Sequence, residues 1–242
     1  MTTFRQIQQR ANELQAERER LVKIRRDAAN NDRMMTASER AEYVEEWRKS
    51  IAKQLEPQFA ALREEARGLA ASTKRRAANA RPKLDPSSAA DLVRTEHAWR
   101  NSVLPQLERG TPLADALRNA DADAVLGAER FAESWLRANQ TRPAGLGDVA
   151  YGEDGRWRRP SDADGHAEMV AAAIAGRFAD LTADPDDAAA LRASVTVDSV
   201  ITPAIDAYIS EAESRPRVSL DTSIGTHYAL GAADGNAEGD AA

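Results

Sequence analysis

Between residues 4 and 28 apolar and polar positions recur on a spacing that alternates three and four. The positions are Phe4, Ile7, Ala11, Leu14, Arg18, Leu21, Arg25 and Ala28, and six of the eight are apolar. That is the heptad rule of a helix with one narrow seam. Arg18 and Arg25 fall on the same class of seam position, where a long cation fixes register or reaches past a partner. Ile24 offers a second register after Leu21, and "ANNDR" at 29–33 stops the helix.

A second amphipathic helix starts at "TASE", where Thr36 and Glu39 have the spacing of a capping box. Its seam runs through Val44, Trp47, Ile51, Leu55, Phe59, Leu62, Ala66 and Leu69. Pro57 lies inside it, which predicts a kink or restart near Glu56, and the helix is expected to fray near Gly68. Two such helices joined by a short turn predict a coiled-coil-like αα-hairpin over residues 1–71. The second seam is the longer, so part of it stays uncovered. Phe4, Ile7, Leu14, Leu21, Val44, Trp47, Ile51 and Leu55 are the candidate self-association seam.

Residues 72–88, "STKRRAANARPKLDPSS", read as a basic linker. A short helical bundle is predicted over 89–139. Asp85-Pro86 and Thr111-Pro112 look like helix starts, and Gly110 looks like a stop. Asp121 or Asp123 caps a third helix, and Trp99, Phe131 and Trp135 supply its apolar contacts. Residues 140–160 are rich in glycine and proline and read as a connector, with Trp157 packing to anchor it. A helical segment follows over 161–215, with a start at Asp184-Pro185 and a helix from about Val197 that is strained at Pro203. Residues 216–242 turn small and polar and read as a disordered, expendable tail. The fold class is therefore all-α.

Composition thins the expected core. Hydrophobic residues make up 42 % of the 242, but many are alanine and only 5 % are aromatic. Alanine favours helix and buries little area, so thin helical layers or burial against a partner are expected. There is no cysteine, which removes disulfides, thiolate metal sites and thiol nucleophiles. The N-terminus has no apolar stretch of the signal-peptide kind, and no apolar run approaches a membrane span. A cytoplasmic location follows as an expectation, or a virion if the chain is of phage origin. Charge is polarised: residues 1–84 carry a net +7 and residues 85–242 a net −13. Such polarity permits head-to-tail attraction, intramolecular docking, or contact with a polyanion.

Chemistry-bearing patterns are few. "SDADGHAE" brings Asp162, Asp164, His166 and Glu168 together, but Ala167 and Ala173 stand where an EF-hand needs glycine and glutamate. Those acids read as caps of the next helix. Gly145, Gly147, Gly152 and Gly155 do not form a phosphate loop, because no strand precedes them and no helix follows directly. There is no nucleophile elbow. His97, His166 and His227 lie far apart in the sequence. No catalytic, cofactor or metal residue is assigned, and no enzyme is expected. Lys74, Arg75, Arg76, Arg81 and Lys83 are the candidate polyanion contact, with Arg25, Arg26 and Arg33 as further cations that could meet phosphate.

Two functions remain. One is a non-enzymatic structural or assembly protein whose partner is a second copy of itself or another helical protein. In its helical, alanine- and charge-rich composition with opposite charges at its ends, the whole chain is similar in general character to bacteriophage scaffolding and other virion-assembly proteins. That resemblance implies an assembly role. The alternative is a nucleic-acid-associated protein that uses the basic N-terminal helices and residues 74–83.

Overall fold

A computed structural model describes residues 3–139, 150–151, 157–158 and 162–233, excepting the side chains of 150, 151, 157, 158, 162–166, 232 and 233. The fold is all-α. Its helices are α1 (Phe4–Asn31), α2 (Ala37–Ala80), α3 (Ala89–Ala98), α4 (Leu104–Glu108), α5 (Leu113–Leu117) and α6 (Ala122–Asn139). They continue as α7 (Asp162–Leu181), α8 (Pro185–Thr196), α9 (Thr202–Ser214) and α10 (Leu220–Ala233). A two-residue antiparallel pairing joins β1 (Ala150–Tyr151) to β2 (Trp157–Arg158).

The chain divides into two units, and the division is not the one the sequence suggests. Residues 1–74 and 196–242 form one, and residues 75–195 form the other. The expected segments 89–139 and 161–215 are therefore not separate: α7 and α8 share a unit with α3 to α6. The expected linker 72–88 is helical as far as Ala80. The connector 140–160, the phosphate-loop glycines and the Trp157 side chain lie outside the described residues, the two short strands apart.

In the first unit α1 and α2 are antiparallel. Arg10 pairs with Glu65 at 2.6 Å, and the Arg25 guanidinium lies 3.6 Å from the centre of the Trp47 ring. α9 packs on α1, running parallel to it, with the Tyr208 hydroxyl donating to Asn12 Oδ1 at 2.6 Å. It runs antiparallel to α2, pairing Glu213 with Arg63, while Asp198, just ahead of α9, pairs with Lys74. The core is Phe4, Ile7, Ala11 and Val22 against Ile51, Leu55, Phe59, Leu62, Ile205 and Ile209.

The stripes that face this core leave the predicted seam after Arg18 on α1 and after Ala66 on α2. On α1 the buried positions 7, 18 and 29, and again 11 and 22, are eleven apart. On α2 the same step links 51 to 62, 55 to 66 and 59 to 70. Eleven residues in three turns is close to the natural pitch of a straight helix, whereas a strict heptad drifts off it by about 20° per repeat. Val22 and Ala29 therefore occupy the inner line in place of Leu21 and Ala28, and Ala70 in place of Leu69. Leu14, Leu21 and Arg25 are half-buried, and Ile24 is exposed. Both capping boxes form: Thr3 with Gln6, which the sequence reading missed, and Thr36 with Glu39. α2 runs through Pro57 without a restart and through Gly68 without fraying.

The tail is revised in part, and its residues 234–242 lie outside the described residues. Leu220–Ala233 is helix, with Thr226, Ala229 and Leu230 buried. The Thr226 hydroxyl donates to the Ala204 carbonyl at 3.2 Å. Small residues between the apolar positions hid this, because only one turn-spaced set, 226, 229 and 230, is needed to dock a helix of this length.

The second unit packs α3, α5, α6, α7 and α8 around Trp99, Val103, Leu117, Val125, Phe178 and Leu191. The rings of Trp99 and Phe131 meet at a tilt of 36° with centres 6.4 Å apart, while Trp135 is half-buried. Asp85 does not cap a helix directly. It closes a turn by accepting from Ser87, and Ser88 caps α3. Asp121 caps α6 and Asp184 caps α8, as the spacing predicts. Gly110, at φ +84°, ends α4: its N–H reaches the Leu107 carbonyl and the Thr111 N–H reaches Gln106, the two bonds of a Schellman motif.

Two prolines widen their helices. Trp99–Val103 and Val197–Ile201 are π-helical turns, each two residues ahead of a proline, Pro105 and Pro203. Proline has no N–H to offer the preceding turn, so the backbone closes a wider ring instead. The strain expected at Pro203 takes this form.

Two glycines test the packing. A Cβ on Gly127 would lie 2.3 Å from the Thr95 carbonyl oxygen and 2.7 Å from Trp99 Cβ, where α3 crosses α6. A Cβ on Gly68 meets nothing within 4 Å. Gly127→Ala should lower the unfolding free energy by about 1–3 kcal/mol through overpacking. Gly68→Ala should raise it by about 0.5–1 kcal/mol. Thermal or denaturant unfolding of the two variants checks both signs.

Candidate interaction surfaces

The C-terminal end of a helix leaves its last carbonyls without partners. At the end of α9 they meet α1. The Arg18 guanidinium, only 5 % exposed, donates to the carbonyls of Glu213 and Arg215. Gln15 Nε2 adds a bond to the Arg215 carbonyl at 3.0 Å. A cation here also complements the helix dipole. Arg18 was expected to fix register on the seam or reach past a partner. It is buried inside its own chain.

α9 ends level with Arg18, and this sets where the candidate seam is covered. Phe4 and Ile7 are buried, as are Ile51 and Leu55. Leu14 is half-buried. Past Arg18, α1 and α2 face each other as a two-helix hairpin among the described residues. Leu21, Val44 and Trp47 are half-buried there, with Tyr43 edge-on to Trp47 at 6.2 Å. Met34 at the turn is 91 % exposed.

α10 carries a second apolar face. Leu220, Ile224 and Tyr228 are exposed at spacings of four, opposite the buried Thr226, Ala229 and Leu230. A helix apolar on two sides has one side without a partner.

The basic candidates are mostly engaged with acids of the same chain. Lys74 pairs with Asp198, and Arg81 pairs with Glu129 while lying 5.2 Å from the Phe178 ring centre. Arg76 meets Asp184, Asp186 and Asp187 at the start of α8, and the Asp187 hydrogen bond raises its pKa further. Arg75 and Lys83 are exposed. Half-exposed pairs of this kind add little stability singly. They do spend the positive charge that a polyanion would need.

Other candidates are less developed. Asp162, Asp164 and His166 begin α7, with side chains outside the described residues, and Glu168 is exposed. Among the described residues no group of three or more His, Asp or Glu has metal-binding geometry. His97 is exposed beside Asn101, whose Nδ2 lies 3.0 Å from a ring nitrogen. The helical run Pro185–Ser214 is long and apolar enough to cross a bilayer, with a window of mean hydropathy 1.2. The sequence reading saw no such run. Its Leu191, Val197, Ile201, Ile205 and Ile209 are fully buried, as in the core helix of a folded domain.

Comparison with protein-family models, curated proteins and solved structures returns no match.

Two side chains bear on how the first unit is held. Arg18→Ala should destabilise the protein by about 1–3 kcal/mol, because the α9 carbonyls lose their donor. Arg18→Lys should recover only part of this, since one ammonium lacks the fork that serves two acceptors. Denaturant unfolding measures both.

Glu211 holds the turn into α10. Its carboxylate accepts from the Ser219 N–H at 2.7 Å, which lowers its pKa, with Arg215 adding attraction. A depressed carboxyl stabilises the fold above its ordinary range and loses that stability as pH falls through the folded value. Glu211→Gln should therefore flatten the acid side of a melting-temperature profile below about pH 4.

Proposed function

We propose that this chain is a non-enzymatic structural or assembly protein that works by helix–helix association, its first partner being a second copy of itself. One observation carries the reading: α9 stops at Arg18 and, among the described residues, leaves the far half of the α1–α2 hairpin as two helices. Leu21, Val44 and Trp47 are only half-buried there. A third or fourth helix completes such a seam in a bundle. The exposed row Leu220, Ile224 and Tyr228 on α10 supports the same reading. A role in virion assembly, as the compositional resemblance implies, is one setting for it.

Nucleic-acid binding is the weaker reading. Three of its five candidate cations are paired with this chain's own carboxylates. Salt distinguishes the two, since phosphate contacts weaken steeply as salt rises and apolar seams do not.

Light scattering on the eluting full-length protein, at low and high salt, is the test. An oligomer that persists at high salt is expected. Leu21→Asp with Val44→Asp should convert it to a monomer by placing charges on the seam. A monomeric wild type, or a doubly substituted protein with unchanged mass, would sink the self-association reading.

A further inference from the structure

The turn end of the hairpin holds a groove of about 510 Å³ between the last turns of α1 and the first turns of α2. Three arginines line it: Arg26 from α1, and Arg40 and Arg48 from α2. Only one carboxylate, Glu45, shares the lining. Charge in the groove is therefore unbalanced by two.

The three guanidiniums are not equally occupied. Arg48 pairs with Glu45 at 2.9 Å, both half-exposed. Arg40 Nη2 donates to the Asp32 carbonyl at 2.9 Å, which fixes the plane of its fork. Its Nε is buried without an acceptor. Arg26 is exposed and pairs with no other described residue. Arg40 and Arg48 stand eight residues apart on one face of α2, with Val44 midway, a rise of about 12 Å. Asn30 adds an amide from α1.

This is an arrangement for an oxyanion. A planar carboxylate matches a single guanidinium fork, whereas a tetrahedral phosphate offers oxygens in several directions at once. Cations that approach from two helices suit the second shape. We propose that the groove formed by Arg26, Arg40 and Arg48 binds a di- or triphosphate group. Val44 lines both the groove and the seam, but none of the three cations is a seam side chain, so arginine substitutions that leave Val44 in place test the site apart from self-association.

The test is calorimetric titration of the full-length protein with inorganic tripolyphosphate at low salt, with citrate as a tricarboxylate of similar charge. One saturable site is expected, with citrate clearly weaker. Arg26→Gln, which removes an exposed and unpaired side chain, should weaken tripolyphosphate binding by roughly tenfold. Arg40→Gln should do so at least as strongly. Lys53→Gln, an exposed cation on α2 outside the groove, should change nothing. No saturable binding would overturn the proposal. Equal weakening by Lys53→Gln would do the same, since it would reduce the effect to a diffuse field. Citrate binding as tightly as tripolyphosphate would overturn the phosphate assignment.

Discussion

Arg18 is the constraint on which the first unit turns. A guanidinium is costly to bury unless its donors are used. Here they are spent on the Glu213 and Arg215 carbonyls. That contact joins two points far apart in the sequence and fixes how far α9 reaches along α1. Glu213 is used twice, its carbonyl by Arg18 and its carboxylate by Arg63. The helix end is thereby tied to both members of the hairpin. The extent of the three-helix core, and of the hairpin left without a third helix, both follow from where this cation sits.

The charge polarity of the chain finds its physical outlet in the same way. The basic N-terminal stretch supplies Arg63 and Lys74 to acids of the C-terminal stretch in the first unit. In the second unit, Arg76 and Arg81 serve the start of α8 and the flank of α6. Each pair contributes little by itself, but like charges in these places would oppose docking. The pattern acts as a guide to register more than as a source of stability.

Much of the fold was legible in the sequence, and the misses have physical reasons. Helix starts at Thr36, Asp121 and Asp184 were readable because a short polar side chain at a cap acts locally. So were the stop at Gly110 and the two amphipathic helices. The seam's exact line was not, because three-four spacing fits a heptad and an eleven-residue repeat equally well over a few turns. Val22 and Ala29 show which period won. Arg18 looked like a seam residue between chains because its acceptors lie about two hundred residues on, as backbone carbonyls that no side-chain pattern reveals. Gly127 carried no local signal, since the need for it comes from a helix crossing. The groove at the hairpin turn was hidden for a related reason. Arg26 is one of the cations the sequence offers to phosphate, but Arg40 and Arg48 are ordinary surface arginines until the turn folds them beside it.

The division of the chain also has a consequence in time. The second unit, 75–195, is continuous, whereas the first is assembled from segments on either side of it. A ribosome adding about 5–20 residues per second needs roughly 7–27 s to pass from the end of α2 to Arg215. For that interval the apolar stripe of α1 and α2 is made but its third helix is not. The nascent hairpin therefore exposes Phe59 and Ile205's future contacts to whatever else is nearby, including hairpins on neighbouring ribosomes of the same message. A chain whose first helices wait for its last ones is open to pairing with its own kind before it is finished.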